Sequence, residues 1–244
     1  MRLASLRACI ALFVALALVP SAAAAAAYSN WAALVVSGDW HAHDGRPSGI
    51  FDNARRDVTR DLLALGFSRD HVEELSARPN AAGSATAERI AIALRGLSRR
   101  VSGGCLLYLT SHGSPDGILV GTRILRPSQL AEMLNASCAD RPSIVIVSAC
   151  FSGVFVPVLA APNRMILTAA RRDRTSFGCG QTDRYPFFDQ CVLSVWPHAH
   201  DFLSLGRLAR ACVAGREKRE DVGRPSEPQI WIGNNAAQTL PEWR

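Results

Sequence analysis

Residues 105–120 read CLLYLTSHGSPDGILV, and residues 143–153 read SIVIVSACFSG. Each stretch opens on a run of apolar residues with almost no polar alternation, the pattern of a strand buried on both faces of a sheet. Each then breaks into small and polar residues: Ser111-His112-Gly113 after the first run, Ala149-Cys150-Phe151-Ser152-Gly153 after the second. Pro115-Asp116-Gly117 is a turn signal, and it predicts a hairpin between Ile118–Val120 and Ile124-Leu125.

Two further runs of the same kind lie outside this pair, WAALVVS at 31–37, ending at Gly38, and MILTA at 165–169. The segments between them carry helical spacing. Phe51, Ala54, Val58, Leu62 and Leu65 recur at three and four residues, with Gly66 placed to end the helix. Ile90, Ala93, Leu94 and Leu97 repeat the pattern after Thr86, a candidate N-cap, and Leu130, Met133 and Leu134 mark a helix over 128–135. Residues 202–213 read as another helix, 71–75 and 229–232 as short strands, and 171–188 as an irregular stretch. Strand and helix alternate without a break in composition. The expectation is an α/β domain with a mostly parallel sheet and helices on both faces.

The first 27 residues stand apart. Arg2 and Arg7, an apolar stretch from Ala8 to Val19, then Pro20, Ser21 and a run of alanines form a secretory signal with a small-residue exit. The apolar stretch is short of the ~20 residues that span a bilayer, so residues 28–244 are expected as a single exported domain with no membrane span after cleavage. Removing the leader leaves 25 basic against 21 acidic residues, and the basic pairs, such as Arg55-Arg56, Arg99-Arg100 and Arg171-Arg172, are scattered. That pattern is solvated surface rather than a nucleic-acid footprint.

In open α/β sheets, ligands bind beyond the carboxyl ends of the strands. If the strands at 105–110 and 143–148 are neighbours, His112 and Cys150 share that rim. A thiol beside an imidazole is the minimal equipment for thiol catalysis: the base takes the proton and sulfur attacks a carbonyl. Gly113 has no side chain to shield its N–H, and with the N–H of Cys150 it could hold the resulting oxyanion. Taken singly, a strand-end Cys is usually a small buried hydrophobe and a His before Gly often serves a turn. Spacing alone leaves both readings open.

The two blocks together resemble the legumain family of cysteine peptidases, which shares its fold with caspases and with the catalytic subunit of the GPI transamidase. The resemblance runs from Tyr108-Leu109-Thr110-Ser111-His112-Gly113 through Gly117-Ile118-Leu119-Val120 to Ser148-Ala149-Cys150-Phe151-Ser152-Gly153. It extends back to the first strand and Phe51-Asp52-Asn53-Ala54, and forward through Leu167-Thr168-Ala169-Ala170, Thr175-Ser176-Phe177-Gly178-Cys179 and Tyr185-Pro186-Phe187-Phe188-Asp189. The chain looks like the compact bacterial members. The resemblance implies a caspase-like fold, Cys150 as nucleophile, His112 as general acid and base, and Gly113 and Cys150 as oxyanion donors. It implies a peptide or protein substrate, no cofactor and no metal. Legumain-like peptidases prefer asparagine before the scissile bond, and Ser176 and Asp189 fall where their pocket has a serine and an aspartate, with Arg46 nearest to its basic residue. Departures are Ser111 in place of an acid before the His, and Ser148 and Phe151 in place of acids around Ala-Cys.

Hydrolysis through a thioester is the leading expectation. Transpeptidation or ligation by the same Cys-His pair is the alternative within enzymology, and a silent binding domain of the same fold is the alternative outside it. Of the seven cysteines, Cys9 leaves with the leader. Cys179 and Cys191 bracket the irregular segment and are expected to bridge, as are Cys138 and Cys212, leaving Cys105 as a buried free thiol. His41-Ala42-His43 and His198-Ala199-His200 present too few ligands for zinc and read as exposed loop histidines, the first pair on the same rim as His112.

Overall fold

The computed structural model describes residues 27–243. The leader expected over 1–27 lies, all but its last residue, outside the described residues. In chain order the strands are β1 (Ala32–Ser37), β2 (Val72–Ser76), β3 (Cys105–Thr110), β4 (Gly113–Ser114), β5 (Gly117–Val120), β6 (Arg123–Leu125), β7 (Ser143–Ser148), β8 (Arg164–Thr168) and β9 (Gln229–Ile232). The principal helices are α1 (Ile50–Leu65), α2 (Ala87–Ser98), α3 (Pro127–Cys138), α4 (Val156–Leu159), α5 (Phe187–Val195), α6 (Phe202–Arg219) and α7 (Ala236–Thr239). Among the described residues no helix is long and apolar enough to cross a membrane.

Six strands form one sheet in the order β2-β1-β3-β7-β8-β9, and only β9 runs antiparallel to its neighbour. The predicted hairpin becomes a separate three-stranded antiparallel sheet, β4-β5-β6. Successive residues of a strand point to opposite faces, and the two hydrophobic clusters divide accordingly. Ala33, Val35, Leu106, Tyr108, Ile144, Ile146, Met165 and Leu167 pack with α1, α5 and α6. Leu34, Val36, Leu107, Leu109, Val145, Val147 and Ile166 pack with α2, α3, α4 and the small sheet. Continuous apolar runs were needed because both faces are covered.

Two of the longer elements differ from the sequence reading. The stretch Phe187–Val195 is helical; it turns Phe188, Cys191 and Val192 into the core beside α6 and leaves Gln190 and Ser194 exposed. Helix α6 continues to Arg219, past polar residues that carry no apolar periodicity; there Glu217 is buried and accepts the backbone N–H of Ser226 at 3.1 Å.

The disulfides also correct the expected pairing. Cys105 bonds Cys138, and Cys191 bonds Cys212, leaving Cys150 and Cys179 as free thiols among the described residues. The two sheet faces explain this. Cys105 and Cys138 lie in the cluster on one face, whereas Cys191 and Cys212 lie in the other, so Cys138 and Cys212 are separated by the sheet and Cys191 has its partner on the adjacent helix. Cys105–Cys138 fastens the start of β3 to the end of α3 and closes a loop of 33 residues. Replacing both by Ala should lower unfolding free energy by about 3–4 kcal/mol. Urea unfolding of the oxidised proteins checks this, and non-reducing peptide mapping should yield 105–138 and 191–212 cross-linked peptides and none joining 179 to 191.

Candidate active site

β3 and β7 are adjacent and in register, with Thr110 opposite Ser148. His112 and Cys150 each lie two residues beyond that pair, on the same rim. The backbone carries the connection onward: Ser111 N–H donates to the Ser148 carbonyl at 3.0 Å, and a side chain at Gly113 would run into the carbonyl oxygen of Cys150 and the Cβ of Ala149. Only glycine lets the His112-Gly113 backbone lie directly on the Ala149-Cys150 backbone. Leu119 N–H donates to the His112 carbonyl at 2.9 Å, so the pairing of Gly113 with Ile118 falls at the non-hydrogen-bonded position of the hairpin. The Gly113 N–H therefore points away from β5.

What fixes the two strand ends lies beneath them. Tyr108 and Thr110 point to the same face as Ile146 and Ser148, and on that face the α5 carboxylate of Asp189 sits fully buried. Tyr108 OH donates to Asp189 Oδ1, Thr110 Oγ1 to Oδ2 at 2.6 Å, and the Ser148 hydroxyl completes the set. Burial pushes the Asp189 carboxyl up to about 6, against the three hydroxyls, which lower it. A second carboxylate plays the same part at the ends of β1 and β2. Asp52, at the start of α1, receives the hydroxyl of Ser76 at 2.9 Å and holds Arg55 at 2.9 Å. Burial works to raise its carboxyl, but Arg55, Ser76 and Arg56 together hold it below the usual range.

His112 Nε2 lies 3.1 Å from the His41 carbonyl oxygen. A carbonyl only accepts, so that nitrogen carries the proton and Nδ1 is left with a free lone pair. The ring edge packs on Phe51 at 5.0 Å between centroids. Asp39, buried, stands 3.9 Å from the same Nε2, while its other oxygen takes the His41 ring at 2.8 Å and the Trp40 N–H at 2.7 Å. Cys150 Sγ accepts the Ser176 N–H at 3.2 Å and faces the Ser176 carbonyl at 3.6 Å. Burial raises the thiol above its ordinary value, opposed by the amides of Ser176 and of Cys150 itself. The resting group is thus a thiol that must surrender its proton on attack. Phe151, at φ 57°, turns the chain sharply behind it, and its N–H is held by the Arg174 carbonyl at 2.8 Å.

The structure brings His112, Gly113, Cys150 and Ser176 together, Ser176 through its backbone. Asp189 lies directly below, with hydroxyls as partners. Arg46 lies on the exposed loop after β1 with its guanidinium 2.6 Å from Asp44, and is not among the groups that hold Asp189. His43 reaches the site's edge, where its N–H and Nδ1 both meet the Cys179 carbonyl at 3.0 Å. Cys179 itself is a thiol pushed up by burial and by the nearby charges of Cys150 and Asp189. Asp39 went unread in the sequence; the available signal was an acid two residues past the end of β1, on the rim already marked by His112 and Cys150.

The sheet and its rim are those of a known fold class. The family model described as Peptidase C13 family matches residues 85–209. That span is just over half of the chain and contains both blocks, and the protein belongs to the Peptidase C13 family. Caspase-1 from Spodoptera frugiperda is structurally similar, with a TM-score of 0.63 and 17% identity over 84% of this chain and 87% of the caspase; at that identity the likeness shows a shared caspase-like fold. A comparison with curated protein sequences found no match.

Because the folded Asp189 carboxyl titrates near 6 rather than near 3.8, the folded state binds its proton more tightly than the unfolded one. Its contribution is present below the unfolded value and is lost as pH rises through about 6. Wild type should lose on the order of 3 kcal/mol relative to Asp189→Asn between pH 4 and pH 7. Urea midpoints of both proteins across that range measure the difference in slope.

Proposed function

We propose that the protein is a cysteine endopeptidase that cleaves through a thioester on Cys150. The observation that carries this is the placement of His112 and Cys150 two residues beyond one register pair, with Gly113 packed on the Cys150 carbonyl. Membership of a cysteine peptidase family supports it. In this reading the Cys150 sulfur attacks the substrate carbonyl carbon and its proton passes to His112 Nδ1. The oxyanion is held by the N–H groups of Gly113 and Cys150. The amine leaves with the proton from His112, and water, deprotonated by His112, then releases the acid and restores the thiol. The His41 carbonyl fixes the imidazole tautomer, and Asp39 acts as a positioning residue through its grip on the His41 loop and its nearness to Nε2.

Ser176 is assigned to the pocket for the residue before the scissile bond, with asparagine as the expected occupant. Asp189, fully buried with Tyr108, Thr110 and Ser148 on its carboxylate, is placed beneath that pocket as its support rather than in contact with substrate. Arg46 is left out of that pocket, since its guanidinium is exposed and paired with Asp44. Residues 1–27 are proposed as a cleaved secretory signal and the protein as exported; two disulfides in the domain suit an oxidising compartment.

Peptide amides varied at the residue before the cleaved bond, incubated with and without added amine, provide the test. The wild type should cleave with a preference for asparagine, and water rather than amine should resolve most of the acyl-enzyme. Cys150→Ala should abolish turnover, and His112→Ala should lower kcat by about 10²–10⁴-fold. Asp39→Asn should lower kcat by about 10-fold with KM unchanged, the split expected of a residue that orients the base. Equal inertness of wild type and Cys150→Ala toward every peptide defeats the peptidase reading; dominant aminolysis replaces hydrolysis by transpeptidation.

A further inference from the structure

Away from this rim, three donor side chains converge where the chain enters α6. His200, Asp201 and Glu242 each offer one ligand atom, and these atoms all lie within 4.8 Å of one another. We propose that this corner binds one divalent transition-metal ion, with zinc as its representative, and that the ion fastens the 240–243 segment to the start of α6.

The backbone that carries the donors is already held in place. Trp243 is buried, donates its N–H to the His200 carbonyl at 2.8 Å, and donates its indole N–H to the Ala199 carbonyl at 2.9 Å. Its ring packs on Phe202 at 5.0 Å between centroids, with Tyr28 and Trp196 beyond. On the other side of Glu242, Tyr28 OH donates to the Pro241 carbonyl at 2.6 Å. Glu242 is therefore anchored through both of its chain neighbours, and little ordering entropy is left to oppose binding. Asp201 is fixed as the N-cap of α6: one carboxylate oxygen accepts the Ser204 N–H. Its other oxygen faces His200 Nδ1 at 3.7 Å, too long for a hydrogen bond. Two ligands on one ion with bonds of ~2.0–2.2 Å stand roughly 3.3 Å apart in tetrahedral geometry, so only small side-chain rotations are needed.

The donor chemistry selects the ion. An imidazole nitrogen with two carboxylates suits zinc and neighbouring first-row ions, whereas calcium takes oxygen donors throughout. Two carboxylates neutralise the charge of a divalent ion, and the exposed side of the corner leaves water to complete the coordination. His198-Ala199-His200 alone presents too few ligands in the sequence; Glu242 joins His200 only through the packing of Trp243.

The rim also carries two free thiols and several imidazoles that would compete for zinc, so the titration is done on the full chain carrying Cys150→Ala. Calorimetry with zinc chloride should show one ion bound per chain at this corner in the micromolar range. At a hundredfold excess over Kd, Tm should rise by roughly 5–10 °C. His200→Ala and Glu242→Gln, each added to that background, should weaken binding at least tenfold while leaving Tm without zinc within about 2 °C, since both side chains are exposed. Calcium should leave Tm unchanged. The proposal is overturned if no saturable binding occurs in that range, if both substitutions leave the zinc isotherm unchanged, or if calcium binds as tightly as zinc. None of these outcomes bears on the peptidase reading.

Discussion

A single buried carboxylate, Asp189, ties together the two strand ends from which the site grows. Tyr108 and Thr110 of β3 and Ser148 of β7 direct their hydroxyls to it from one face of the sheet. Three hydroxyls converge on this one group and offset the cost of burying it. The two strands are thus locked in register at the point where they end, and His112 and Cys150 follow two residues later on each. Asp189 in turn is placed by α5, whose core residues Phe188, Cys191 and Val192 bury it against the sheet, with Cys191 fastened to α6.

The same constraint explains where the sequence was legible and where it was silent. The continuous runs at 31–37, 105–110, 143–148 and 165–169 announce a parallel sheet because both of its faces are covered, and helices α1 and α2 show their apolar stripes plainly. That His112 and Cys150 share a rim was legible because a parallel sheet gathers adjacent strand ends, while their chemistry was read only through the family resemblance. Asp39 was not, since a lone acid after a strand carries no periodic signal. Helix α5 went unread although Phe187, Phe188, Cys191 and Val192 carry helical spacing with Gln190 and Ser194 exposed, because the stretch is short and follows directly on an irregular segment rich in Gly and Pro. The cysteine pairing was misread for a reason of geometry: spacing along the chain does not say which face of the sheet a helix will occupy, and Cys138 and Cys212 end on opposite faces.

The departures from the legumain pattern acquire physical meaning in this setting. Ser148, where an acid would stand, is one of the three hydroxyl donors to Asp189; a carboxylate there would face a second buried carboxylate. Ser111 is buried against Gly38 between the strand ends, a place too close-packed for a larger acid. Phe151 takes the left-handed turn that reverses the chain behind the thiol. The rim is therefore less acidic than the family pattern, with buried acids at Asp39 beside His112 and Asp189 beneath the site.

Cys150 and Cys179 are both free thiols raised by burial, but only Cys150 shares the rim with an imidazole whose Nδ1 is unprotonated. Labelling with a peptidyl electrophile bearing asparagine at its first position, followed by intact mass and peptide mapping, tests that distinction directly. The account predicts one adduct per chain, on Cys150, formed at least a hundredfold more slowly in His112→Ala. An adduct on Cys179, or labelling of Cys150 at the same rate without the imidazole, would contradict it.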